Sequence, residues 1–267
     1  MKILHVLNTA GVGSVIAKFM DERFGTESRV ITRKAHDLYG LTTYGETRSD
    51  GFWMFYLKMV LEAGKYDIVH LHDRDILIPP LKVLYPNKPI VLHYHGTKIR
   101  GVWEKRRRYW KNADSILVST IDLLEGAPKE TFHLPNPVDT SIFKAEYDDT
   151  PEGEALYFKY DADDIAERLA KKFGMSLTTH DRRKKPIAYR DMPGHLKRFK
   201  ALVDVKRDVK GNILYPENTM SKTALEALAC GLKVITYQGE MIERLPERNN
   251  PYNVVEEVYQ IYKEILK

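Results

Sequence analysis

A single cysteine, Cys230, excludes an internal disulfide framework and points to a reducing, cytoplasmic compartment. No uninterrupted apolar run approaches the roughly 20 residues of a membrane-spanning helix, and the opening Met1-Lys2-Ile3-Leu4-His5-Val6-Leu7 is too short for a signal peptide. Charge of one sign is also not dominant: 42 basic against 37 acidic residues leave +5. That excess suits phosphate-bearing partners or an anionic membrane surface without choosing between them. Helix-turn-helix, zinc-finger and RNA-binding signatures are missing, so nucleic acid is not an expected partner. There is no short-period repeat. Hydrophobic content of 43% beside 30% charge describes a globular chain, and 267 residues suffice for one large or two small domains.

What is present alternates between strand and helix patterns. Residues 2–7 predict a strand, then Asn8-Thr9-Ala10-Gly11-Val12-Gly13-Ser14 and a helix over 15–24. Strand, glycine loop and helix let backbone approach a phosphate, although the full dinucleotide fingerprint is absent. Residues 29–33 predict a second strand, and 37–51 a long flexible loop suited to lining an acceptor site. Residues 52–61 are apolar nearly all round, which favours a core-packing helix over a lipid-contacting one. The strand at 66–73 puts His70 and His72 on one face; no third ligand is indicated nearby, so no metal is expected. His95 ends the strand that begins at 88, where ligands collect in parallel sheets, and His93 lies further in. Residues 103–111 predict a helix carrying Arg106, Arg107 and Arg108 between aromatics, either a solvated face or a contact for an anionic membrane.

Residues 144–154 are acidic and rich in helix breakers, a reasonable linker. Beyond them strands at 155–159, 176–179, 187–189 and 201–205 alternate with helices at 163–173 and 193–199, giving a second parallel α/β layer. Ser221 is a plausible N-cap for a helix over 223–229, Gly231 ends it, and 234–236 reads as a buried strand. Within that helix Glu226 either is buried with a hydrogen-bonding partner or pairs with Lys222 on a solvated face. The last helix, 252–266, has apolar residues spaced to bury one face.

The run Leu225-Glu226-Ala227-Leu228-Ala229-Cys230-Gly231-Leu232-Lys233-Val234-Ile235 resembles the "lEAmAcGlPVi" signature of family-four-like glycosyltransferases of the GT-B fold. Asp67-Ile68-Val69-His70-Leu71-His72, the His95-Gly96 exit and Leu134-Pro135-Asn136-Pro137-Val138-Asp139 are similar to further segments of that family, and Gly239-Glu240 to its "GG..E" loop with one glycine missing. The resemblance implies an α/β protein of two Rossmann-like domains facing across a cleft. Residues 1–145 would form the acceptor side, 146–250 the nucleotide-sugar side, and 251–267 a helix packing back on the first. It implies sugar transfer from a UDP- or GDP-sugar to a hydroxyl of a glycan or lipid-linked acceptor, with retention and without a metal or other cofactor. Glu226 would hold the ribose; Lys222 and the amides at Ser221 and Thr223 the diphosphate; His95 the sugar. Gly11 and Gly13 would face the donor phosphates. Asn218 stands where the family has a second glutamate, with Glu217 one position out of register, and the family's Arg/Lys pair for the diphosphate is not visible. A non-catalytic sugar-nucleotide or glycan-binding module is therefore the alternative. Peripheral attachment at the inner membrane face would follow from Arg106, Arg107 and Arg108.

Overall fold

A computed structural model describes residues 1–96, 98–145, 151–207, 211–214 and 219–267. Asn218 and Glu217 lie outside the described residues. The chain forms two compact units, Met1–Pro137 with Asn250–Lys267, and Val138–Asn249.

The first unit carries β1 (Lys2–Val6), α1 (Val12–Phe24), β2 (Glu27–Arg33), β3 (Glu46–Arg48), α2 (Phe52–Glu62), β4 (Ile68–His72), α3 (Ile78–Leu84), β5 (Ile90–Tyr94), α4 (Trp103–Trp110), β6 (Ser115–Val118) and β7 (Thr131–His133). Its strands pair in parallel in the order β3-β2-β1-β4-β5-β6-β7. The second unit contains β8 (Gly153–Phe158), α5 (Asp163–Lys172), β9 (Leu177–His180), α6 (Met192–Leu196), β10 (Phe199–Asp204), a ribbon of β11 (Lys206–Arg207) and β12 (Ile213–Leu214), α7 (Lys222–Ala229), β13 (Lys233–Thr236) and β14 (Met241–Ile242). Its sheet runs β14-β13-β10-β8-β9, parallel except for β14. The last helix, α8 (Pro251–Ile265), belongs to the first unit, where Tyr259 stacks on Phe24 at 3.9 Å and Glu256 pairs with Arg23 at 2.8 Å. Both sheets are Rossmann-like: strand order reverses between β1 and β4 in one and between β8 and β10 in the other.

Strand alternation decides what each face of the first sheet buries. Leu4, Val6, Val69, Leu71, Leu92 and Tyr94 pack under α2, α3 and α4. Ile3, Ile68, Val91 and Leu117 pack under α1 and α8. On that second face the residues two further along are His5, His70, His93 and Ser119, followed by His72 and His95. The register sets His5 opposite His70 and His72 opposite His93. The aliphatic floor thus becomes an imidazole layer toward the carboxyl ends of β1, β4 and β5.

Several expectations change. Residues 37–51 are not one flexible loop: β3 adds an edge strand there, Asn8 donates to the Leu41 carbonyl at 2.9 Å, and Ser14 donates to that of Tyr44 at 2.9 Å. No strand forms at 187–189; Tyr189 opens a 3-10 turn into α6. The passage between units falls at Pro137–Val138, before the expected linker, because Phe143 is buried within the second unit against Tyr189. On α2 Phe55 and Met59 are buried, whereas Trp53 (80% exposed), Met54, Leu57 and Leu61 are not, so core packing accounts for one face only.

The three arginines of α4 separate. Arg106 is not a surface contact: its guanidinium makes a two-pronged pair with Asp75, which is fully buried and also accepts from the Tyr94 hydroxyl at 2.6 Å. Arg107 faces Glu104 at 3.4 Å and Arg108 lies over the Tyr109 ring at 4.7 Å, both at the surface. Arg106→Gln leaves a buried carboxylate without its cation and is expected to lower unfolding stability by about 3 kcal/mol. Arg107→Gln and Arg108→Gln should change it by no more than about 0.5 kcal/mol. Urea titrations of the three variants check this; equal effects would remove Arg106 from its structural role.

Candidate functional site

In the first unit the β1/β4 reversal opens a cavity of about 380 Å³ at the carboxyl ends of the strands. Leu7 and Asn8 after β1, Asp73 and Arg74 after β4, and His95 and Lys98 after β5 contribute to its wall. Leu7 (φ 68°), Ala10 (φ 54°) and Asp73 (φ 59°) all line it in left-handed conformations that side chains disfavour. Backbone strain of that kind persists where surrounding contacts over-determine it, and it collects at functional sites. Here Asp73 Oδ1 accepts from the His95 amide at 3.0 Å, and the Asp73 carbonyl accepts from Lys98 Nζ at 3.3 Å.

The cavity is cationic. Burial and then the neighbouring Arg74 hold the Lys98 ammonium below its ordinary pKa, and the same two causes lower His36. Arg74 lies 5.7 Å from the Tyr56 ring, and its buried Nε has no hydrogen-bond partner. Cations crowded so that their pKa values fall are stabilised by an anion placed among them. His36, Asp73, Arg74 and Lys98 were missed by sequence reasoning; the strand-end position of Asp73-Arg74 was the available signal.

His95 sits half-buried at this wall, but both its ring nitrogens are engaged: Nε2 with His72 Nδ1 at 2.9 Å and Nδ1 with Ser119 Oγ at 2.6 Å. The hydroxyl also meets His93 Nε2 at 3.0 Å, and His72 Nε2 meets His5 Nδ1 at 3.2 Å. His70 Nδ1 meets the Tyr262 hydroxyl of α8 at 2.6 Å. The expectation that no third imidazole stands near His70 and His72 is thereby corrected, because the register of β1 and β5 supplies His5 and His93. Gly13 serves this layer: a Cβ there would lie 3.1 Å from both His72 Nε2 and Asn8 Oδ1, so glycine lets α1 pack onto the strand ends. Gly11, buried at φ 75°, is the left-handed residue from which α1 starts.

In the second unit α7 begins beside the β8/β10 reversal. Ser221 caps it, its hydroxyl accepting from the Ala224 amide at 3.2 Å, while its own amide donates to Asp204 at 2.7 Å. Ser221 and Thr223 line a small crevice with Tyr160, Asp204 and Lys206. Gly231, at φ 87°, carries the chain from α7 into β13. Glu226 is 3% exposed, so it does not lie on a solvated face. Its Oε1 accepts from the Tyr189 hydroxyl at 2.6 Å and from Lys222 Nζ at 2.9 Å; among the described residues no donor reaches Oε2. Lys222 is therefore committed to Glu226. Tyr189 was not foreseen, since nothing in local spacing links positions 189 and 226.

No family model matches the chain, and no curated protein matches it in sequence. Solved structures do. UDP-GlcNAc 2-epimerase from Neisseria meningitidis, bound to UDP-GlcNAc, is 14% identical over 100% of this chain and 94% of its own, with a TM-score of 0.51. UDP-GlcNAc 2-epimerase from Methanocaldococcus jannaschii is 11% identical over 97% and 99%, with a TM-score of 0.53. At such identities the likeness shows the fold alone, the GT-B fold of two Rossmann-like domains.

The imidazole layer generates a pH dependence. Burial lowers His5 to about 4 and holds His70, His72 and His93 well below their ordinary value, with His95 also lowered. The unfolded chain takes up those protons near pH 6.5, whereas the folded chain resists them. The stabilisation is therefore present above about 6.5 and lost as pH falls toward 4, with up to about 1.4 kcal/mol per pH unit for each ring that stays neutral. The urea midpoint is expected to fall steeply between pH 7 and pH 5. A flat profile over that interval would contradict a neutral buried layer.

Proposed function

We propose that this chain is a glycosyltransferase that moves a sugar from a nucleotide-sugar donor to an acceptor hydroxyl. The observation that carries the reading is the buried Glu226 carboxylate on a helix that starts at the strand-order reversal of a Rossmann-like sheet. Tyr189 and Lys222 orient the carboxylate through Oε1, leaving Oε2 to accept from a ribose hydroxyl. Amides at the start of α7, beside Ser221 and Thr223, favour the diphosphate, with Lys206 at the crevice as a cation that needs no rearrangement of Glu226. The donor phosphates are then neutralised by protein groups rather than by a divalent ion. In the first unit, Arg74, Lys98 and His36 suit an anionic group of the acceptor, such as the phosphate of a lipid-linked glycan. Retention of configuration follows the resemblance of the α7 segment to retaining enzymes. With both nitrogens occupied, His95 shapes the cavity wall and shares in the transfer only if the relay behind it opens. The UDP-GlcNAc held by the Neisseria structure supports a uridine nucleotide as the first donor to try.

A thermal-shift series with UDP, GDP and their sugars tests this. A true donor nucleotide at a hundredfold its Kd should add about 2.7 kcal/mol of stability. Glu226→Gln should weaken that nucleotide by about 1.5–3 kcal/mol in calorimetry while remaining folded. No shift with any nucleotide, or undiminished affinity in the variant, would count against the reading.

The acceptor reading extends to a membrane surface on one specific observation. α2 and α3 leave Trp53, Met54, Leu57, Leu61 and Val83 exposed on the sheet face that also carries α4, whose Lys105, Arg107 and Arg108 are exposed. Apolar side chains beside a basic helix fit peripheral attachment to anionic lipid at the inner membrane face. Among the described residues no helix is long and apolar enough to cross a membrane. Trp53→Ser with Leu57→Ser, or Arg107→Gln with Arg108→Gln, should each cut sedimentation with anionic liposomes, the basic pair most clearly at low salt. Wild-type protein that ignores such liposomes would remove the membrane from the proposal.

A further inference from the structure

Five imidazoles share one face of β1, β4 and β5, and they are not equally satisfied. His5, His70, His72 and His93 are fully buried. His5 Nε2, His70 Nε2 and His93 Nδ1 have no hydrogen-bond partner. Orphaned buried nitrogens are costly, and a native protein that keeps them has a use for them or holds an ion there. Two overlapping sets, His5 with His70 and His72, and His72 with His93 and His95, each offer three nitrogens within 4.8 Å of one another.

We propose that His72, His93 and His95 form a three-histidine site for a divalent transition cation of the zinc class, with its remaining coordination position toward the cavity at the β1/β4 reversal. Neutral imidazole is the required ligand form, and burial keeps these rings neutral. A tetrahedral cation with bonds of about 2.0–2.1 Å sets its ligand nitrogens about 3.3 Å apart. His72 Nδ1 and His95 Nε2, now 2.9 Å apart, need only a small separation to admit it. Metal-binding imidazoles are normally held through their other nitrogen. Here His5 Nδ1 holds His72 Nε2, and Ser119 Oγ holds both His95 Nδ1 and His93 Nε2, which leaves the orphaned His93 Nδ1 as the third ligand. The set favours these three over His5, His70 and His72 because His95 also lines the cavity, giving the cation a route in and an open position. The site is independent of the donor reading, whose groups lie in the second unit.

The test uses the full chain stripped with a chelator and titrated with Zn²⁺ in competition with a chromophoric indicator, then with Co²⁺ for its visible absorption. Wild type is expected to take up about one Zn²⁺ per chain and to show the intense Co²⁺ bands of four-coordination. His93→Gln should weaken Zn²⁺ by at least about a hundredfold, and Ser119→Ala by about tenfold or more, since it frees two ligand rings. Ser119→Ala deletes only a hydroxyl and decides the matter if His93→Gln does not fold. Wild type without stoichiometric uptake would overturn the proposal. So would unchanged affinity in either folded variant, or loss of Zn²⁺ on His70→Gln with retention on His93→Gln.

Discussion

The constraint on which the first unit depends is that a row of neutral imidazoles, buried from solvent, must find hydrogen-bond partners within the protein. At the carboxyl ends of β1, β4 and β5 the sheet stops burying aliphatic side chains and starts burying His5, His70, His72 and His93. Each ring then requires something from a neighbour. Tyr262 on α8 bonds His70, Ser119 after β6 bonds two rings, and Gly13 lets α1 close over His72. The terminal helix is therefore tied to the sheet by a polar contact as well as by Val254, Val255 and Val258. A chain arranged this way accepts a sensitivity to acid in exchange for rings fixed in one orientation next to a cavity.

The second unit solves a related problem with a carboxylate. Glu226 is buried on an otherwise apolar helix, and it is retained because Tyr189 and Lys222 share one of its oxygens. Burial of Tyr189 beside that charge pushes its hydroxyl well above the ordinary value, so it stays protonated and keeps donating. The helix is in turn positioned by the Ser221 cap and by Asp204 at the end of β10. Fold and cap thus bring the start of α7 to the strand-order reversal, and Glu226 follows about one turn further along the helix.

Local pattern carried much of this. Ser221, the helix after it and the turn at Gly231 were legible because capping and left-handed backbone are matters of a few adjacent residues. The alternation of strands and helices sufficed for two parallel layers. Long-range pairing was not legible. That Arg106 belongs to Asp75 and not to solvent depends on how α4 packs against the turn after β4, and the Arg106-Arg107-Arg108 run looks the same either way. Nor could His5 and His93, the further imidazoles beside His70 and His72, be read without the registers of β1 and β5 on β4. The β3 strand was hidden in a glycine-bearing polar stretch because an edge strand needs little hydrophobic pattern of its own.

The proposed function puts a nucleotide-sugar at one strand-order reversal and an acceptor at the other. The measurement that bears on it most directly is proton NMR of UDP- and GDP-hexoses incubated with the chain and a glycan or lipid-linked acceptor. Transfer predicts that one donor is consumed only when acceptor is present, with free nucleoside diphosphate and a glycosylated acceptor appearing together. A donor converted to its epimer without release of diphosphate, or one that binds and stays unchanged with every acceptor, would contradict it.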